Sequence, residues 1–414
     1  MKPTEIGACR CCGNTRLEQI LSLGVQQLTG VFPRSASETV TSGPLELVKC
    51  FGKDACGLVQ LRHTYDSSEM YGQNYGYRSG LNQTMVRHLG STVGAVLATY
   101  PVKDGAIVLD IGSNDGTLLS FMPESAQRVG MDPTSAKYRQ YYQPGIKALP
   151  EFFTAANFRR SFGDQRAEII TSIAMFYDLP DPLAFVGDVA AVLAPEGVWY
   201  FEQSYLPTML TQNAYDTICH EHLEYYALEQ VQWMMSRCGL RVIDVQLNDV
   251  NGGSFSVTVC HEKAQHRPNS RAIDALVASE KSGRLDTMKP YEAFAVRVSS
   301  HREQLLETLA GLRSKGASIL GYGASTKGNV ILQYCGLTTN EIPAIAEVNP
   351  DKFGAFTPGT HIPIISEADA HARKPDYFLV MPWHFRENLI QREAAFRAAG
   401  GKMIFPLPEI SVVA

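Results

Sequence analysis

Two segments of the chain share one pattern: a short unbroken apolar run, then glycines, then residues at helical spacing. In the first, Ile107-Val108-Leu109-Asp110 runs into Gly112-Ser113-Asn114-Asp115-Gly116, with a helix expected from Thr117. In the second, residues 317–320 run into Gly321-Tyr322-Gly323-Ala324. An apolar run bounded by glycine predicts a strand buried on both faces, as the parallel strands of an open sheet are. Strand and helix patterns alternate from residue 105 to about residue 247, which predicts an α/β unit. Ahead of it, residues 81–100 have amphipathic helical spacing and residues 65–77 are rich in tyrosine. Beyond it, Phe255, Val257 and Val259 alternate as in a strand, and a polar helical stretch over residues 271–315 leads to the second glycine turn. These shifts predict three domains: residues 1–65, 66–250 and 251–414.

Composition narrows the class. The 414 residues are 45% hydrophobic and 19% charged, the balance of a globular enzyme. Lys+Arg number 37 against 42 Asp+Glu, a net charge of -5, which disfavours a grip on nucleic acid phosphates. No uncharged apolar run is long enough to span a membrane, and the first residues lack the apolar core of a signal peptide. The expected location is therefore cytoplasmic, where thiols stay reduced and clustered cysteines point to metal. Cys9 and Cys12 form a C-x-x-C knuckle closed by Gly13; Cys50 and Cys56 form a looser pair closed by Gly57. Four thiolates suit a closed, structural Zn²⁺ site, with Cys11 a spare thiol.

The turn after Asp110 lacks the G-x-G-x-x-G pattern that cradles a pyrophosphate. It resembles instead the first motif of class I S-adenosylmethionine (SAM) methyltransferases. Asp110, Gly112, Ser113, Asn114, Asp115 and Gly116 would then hold the cofactor, with Met175 at the lip of a later strand. Asp132, ending the next strand some twenty residues on, is placed to accept hydrogen bonds from ribose hydroxyls. Over the whole chain, LDIGSNDGTLL, YDTICHEHLEYY, NGGSFSVTV, GYGASTKGN and TPGTHIPI are similar to the nucleotide-sugar C-methyltransferases. That resemblance implies a class I SAM methyltransferase core, Rossmann-like, between a zinc-binding domain and a C-terminal second Rossmann-like α/β domain. It also implies a 4-keto sugar, linked to dTDP or GDP, methylated on C3.

Methylating carbon requires a carbanion equivalent, which a base and an enolate-stabilising donor supply next to a ketone. The YDTICHEHLEYY segment concentrates such groups. His222 is the expected base with Glu221 in support, and His220 is a second candidate for either job. The family reads Tyr-His-Glu-His here, so Cys219 stands where a tyrosine is expected. A further family tyrosine corresponds to Tyr75 or Tyr77. Expected substrate contacts are Tyr225, Ser254, Tyr322, Asn329, His361 and Lys327, the last on phosphate, with Trp383 and His384 as further lining. Three stacked domains suffice as a monomer. Two other readings remain open: a small-molecule N- or O-methyltransferase, and a protein that binds a nucleotide sugar without turnover.

Overall fold

The structure, a computed structural model, describes residues 3–71 and 77–414; Tyr75 lies outside them. The central sheet has seven strands, in the order Leu240–Asn248, Ser254–His261, Leu193–Ser204, Ala167–Ile173, Ile107–Ile111, Gln127–Met131, Ile146–Leu149. The last five are mutually parallel, and Ser254–His261 lies antiparallel between its two neighbours. Every residue of Ile107–Ile111 is buried, as its unbroken apolar run predicts. The helix Gln83–Thr99 begins at Asn82, whose side chain accepts from Thr84 N, and buries Met85, Leu89, Val93 and Val96 along one face.

Two expectations change. The sheet continues to His261, so a division at residue 250 cuts it: Ser254–His261 is buried along nearly its whole length because it has a partner on each side. The helix expected from Thr117 shrinks to one 3₁₀ turn, Leu119–Phe121. Pro123 offers no N–H to extend it and holds Met122 extended.

A second sheet of six strands carries the C-terminal glycine turn, in the order Ile364–Ser366, Ile345–Glu347, Ile319–Tyr322, Tyr377–Val380, Lys402–Phe405, Ser411–Val413. Helices Ser270–Ser282 and Lys289–Arg313 bridge to it. The N-terminal sheet is antiparallel: Leu17–Gln27, Ser42–Cys50, Val59–Leu61 and, at its edge, Glu224–Tyr225. That last strand is donated by the histidine segment, pairing Glu224 with Gln60 and Tyr225 with Val59. The buried pair Arg10–Glu224, 3.6 Å apart, reinforces the join. On its other side the N-terminal module holds helix Thr326–Cys335, through Gln27 N to Gln333 Oε1 at 2.8 Å. Among the described residues no helix is long and apolar enough to cross a membrane.

Candidate active site

The four cysteines predicted to bind metal converge. The Sγ atoms of Cys9, Cys12, Cys50 and Cys56 all lie within 4.8 Å of one another. Cys9–Cys56 and Cys12–Cys50 approach to 3.6 and 3.5 Å. Four sulfurs about 2.3 Å from one Zn²⁺ stand roughly 3.8 Å apart in a tetrahedron, so the set fits the ion. Asn14 Nδ2 donates to Cys50 Sγ at 3.2 Å, the kind of outer contact that fixes a thiolate ligand. Cys11 is outside the set of four, with its sulfur 3.5 Å from Met234 Sδ.

The glycine turn after Ile107–Ile111 has the backbone its sequence promises. Gly112 and Gly116 adopt φ of +74° and +77°, and Asn114 between them +50°. A Cβ at Gly112 would sit 3.0 Å from Met175, and one at Gly116 2.9 Å from the Tyr142 ring. Asp132 pins the loop by accepting from Asn114 N at 2.8 Å, and also accepts from Thr134 N and Oγ1. A carboxylate has about four acceptor positions, so Asp132 retains one for a ribose hydroxyl. Asp110 accepts from Thr171 Oγ1 at 2.7 Å, and burial pushes its carboxyl up to about 7. Ser113 bonds Tyr142 OH at 2.8 Å. Residues 77–80 lie over the turn: Ser79 N and Gly80 N donate to Asn114 and Asp115. Tyr77 sits here, its side chain half-exposed. With the amides of Gly112, Asn114 and Gly116 engaged within the protein, the spare acceptor on Asp132 fits a cofactor without phosphate. Gly116→Ala is expected to raise the SAM dissociation constant about tenfold or more, because φ and space both exclude a side chain. Calorimetric titration of SAM checks this, and an unchanged constant would place the cofactor elsewhere.

The histidine segment runs from this sheet toward the N-terminal one. His222 Nδ1 lies 2.8 Å from Thr217 O. A carbonyl only accepts, so Nδ1 carries the proton and Nε2 keeps its lone pair. Burial first, and Lys327 second, push the imidazole down to about 3. Tyr225 reaches the same carbonyl at 3.4 Å. Glu221 lies against Gly30, where a Cβ would meet Oε1 at 2.0 Å, with Thr326 Oγ1 3.5 Å from the same point. Burial pushes Glu221 up to about 7, against the opposing charge of Lys352. His220 points the other way. It is 1% exposed, its ring stands edge-on to Tyr65 at 4.6 Å, and the backbone of Gln26 and Gly43 in the N-terminal sheet faces it. In this arrangement N-terminal residues, Tyr65 among them, enclose it.

The C-terminal candidates separate. Lys327 Nζ donates to Asn251 O at 2.8 Å and acts electrostatically on His222 and His384. Asn329 is buried and gives its amide to Thr29 O at 2.8 Å, a tie between domains. Tyr322 turns into its own domain, donating to Glu393 at 2.6 Å. Ser254 is 2% exposed and spends its hydroxyl on Val250 O. His361, at φ +52°, lies in a loop fastened to the N-terminal module through Gly359 N to Gln27 Oε1 and Phe356 N to Pro33 O. Asp216, which the sequence left unremarked, and Tyr177, which follows Met175 at the lip of its strand, join the site. Asp216 accepts from Trp383 Nε1 at 2.7 Å, and Tyr177 packs on His222. Asp216 lies in the histidine segment, yet its partner is 167 residues away and no local pattern signals it.

A seven-stranded sheet of this order, with a glycine turn after its central strand and an acid after the next, defines a class I methyltransferase. Three family models match in succession: a zinc binding domain over residues 9–71, a methyltransferase domain over 85–245, and a C-methyltransferase C-terminal domain over 249–408. The chain is 31% identical over 417 residues to the C-methyltransferase NovU of Streptomyces niveus, covering 99% of this chain and 97% of that protein. The chain belongs to this C-methyltransferase family. It is a SAM-dependent carbon methyltransferase with a zinc-binding N-terminal domain. Similar solved structures include a complex of the Haloferax volcanii Trm112 methyltransferase activator with a methyltransferase (16% identity, 44% of this chain and 94% of that one, TM-score 0.37). Another is the plantazolicin methyltransferase BpumL with SAH (10% identity, 42% and 82%, TM-score 0.34).

Proposed function

We propose that the protein, acting as a monomer, methylates C3 of a 4-keto sugar linked to dTDP or GDP, through an enolate. The observation that carries this reading is the tautomer of His222: Thr217 O holds Nδ1–H, leaving the Nε2 lone pair to act as a base. Oxygen or nitrogen acceptors need no such base against a carbon acid. Bound SAM supplies an electrophilic methyl group, and the Gly112–Gly116 turn, Asp132 and Met175 would hold it. Lys327 spends one of its three N–H bonds on Asn251 O, leaving two for a diphosphate. An imidazole held near 3 is a weak base. An anionic substrate beside Lys327 offsets that repulsion and raises it, so the base strengthens as substrate binds. In D₂O, without SAM, a 4-keto nucleotide sugar is expected to take up deuterium at C3. A product methylated on oxygen or nitrogen, with no exchange, sinks the reading.

The pH profile follows from the same groups. His222 is neutral throughout the working range, so it sets no limb near neutrality. Glu221 ionises near 7, and kcat/KM is expected to rise as pH climbs through that value. The rise should vanish in Glu221→Gln; a limb that persists unchanged would remove Glu221 from the proton handling.

A further inference from the structure

Taking a proton from carbon drives an electron pair onto the neighbouring carbonyl oxygen, which needs a hydrogen-bond donor close to the base. Most donors around His222 are already engaged. Tyr225 turns its hydroxyl to Thr217 O, Trp383 gives its indole N–H to Asp216, and Tyr71 gives its hydroxyl to Asp178. Tyr177 differs. Its ring centroid lies 4.2 Å from that of His222, tilted by 54°, and its hydroxyl has no hydrogen-bond partner among the described residues.

The backbone fixes Tyr177 between the two halves of the reaction. It sits in the 3₁₀ turn Phe176–Asp178, directly after Met175, which packs on Gly112 of the cofactor turn. Its carbonyl accepts from Leu223 N at 2.8 Å, tying it to the residue after His222. Burial first, and Asp178 second, hold its hydroxyl well above the usual phenol range, so it remains a protonated donor. The neighbouring thiol, Cys219, is fully buried.

Resting on the enolate chemistry above, we infer that Tyr177 is a further catalytic residue, whose hydroxyl donates a hydrogen bond to the enolate oxygen. The C3–H bond breaks and its proton goes to His222 Nε2. The freed pair forms the C3–C4 π bond, and the carbonyl π pair moves onto oxygen. The phenol keeps its proton. The C3–C4 π pair then takes the methyl carbon, the oxygen pair re-forms the carbonyl, the S–C pair stays on sulfur, and His222 returns its proton to solvent.

The test compares wild type with Tyr177→Phe for C3 deuterium uptake from D₂O without SAM, and for methyl transfer with it. Both rates are expected to fall about 10²–10³-fold, the usual cost of one oxyanion donor, with SAM affinity and Tm unchanged. Uptake by the variant within threefold of wild type overturns the role of Tyr177 alone. No uptake by wild type overturns the enolate reading, and this role with it. Placing 3-fluorotyrosine at position 177 keeps the ring and the donor, and should restore at least thirtyfold of the lost exchange; a rate as low as that of the Phe variant overturns the role. If Tyr177→Phe does not fold, the fluorotyrosine enzyme is set against wild type. A threefold or larger change in exchange then supports the donor role, and an identical rate overturns it.

Discussion

His222→Ala is expected to cut kcat for carbon methylation by about 10²–10⁴-fold, the range a positioned general base contributes. The SAM dissociation constant should stay within about threefold of wild type. The two effects separate because the base and the cofactor turn sit on different elements. His222 is held from its own segment, through Thr217 O and Cys219 O, whereas the turn is held by Asp132 and by residues 77–80. Their link passes through Tyr177, whose carbonyl takes Leu223 N. Single-turnover methylation with labelled SAM, beside calorimetric binding, measures both. A variant that loses cofactor affinity along with turnover would show that His222 supports the fold of the cofactor site and is not the base.

Zinc removal has the second large effect, and it reaches catalysis. Four thiolates within 4.8 Å repel one another without a cation, so chelation or Cys9→Ser removes the ion that holds the first knuckle to Cys50 and Cys56. A structural zinc site contributes free energy of folding, and soluble yield and Tm are expected to fall. The damage does not end there. Val59–Leu61 follows Cys56 closely and pairs with Glu224–Tyr225, two residues beyond His222. Arg10, between Cys9 and Cys12, faces Glu224 across the same join. Any chelated enzyme that stays soluble is therefore expected to lose methyl transfer about tenfold or more while still binding SAM. Zinc content, thermal melting and turnover on the same chelated sample decide the matter. Normal turnover by zinc-free, folded enzyme would rule out this coupling.

Wherever one short segment contains the whole feature, the sequence is sufficient. The glycine turn is such a case: a buried strand, two glycines and an acid one strand later specify backbone, loop and ligand class, because each interaction is local or between adjacent strands. The cysteine set is nearly so, since thiol chemistry and two glycine-closed pairs admit few alternatives. The histidine segment was visible as a cluster of acid–base groups, but not the division of labour within it. His220 and His222 are two residues apart on a turn closed by His222 N to Cys219 O, which breaks the alternation of an extended chain and lets them face different neighbours: one Tyr65 and the N-terminal core, the other Tyr177. Which side is which depends on the edge pairing of Glu224–Tyr225 with a sheet 160 residues earlier. The C-terminal candidates were harder still. Asn329 and Tyr322 flank a glycine turn that resembles a ligand site, yet their polar groups serve Thr29 and Glu393.

The sequence by itself determined that a SAM-type turn, a four-thiol metal site and a cluster of histidines and carboxylates belong to one chain, because residue type and local spacing encode those features. Only the tertiary structure decided which carbonyl holds the His222 ring, which tyrosine lies on it, and that the N-terminal module pairs with the histidine segment. Those outcomes rest on contacts between segments far apart in sequence, where burial and a single hydrogen-bond partner choose among side chains of equal chemical promise.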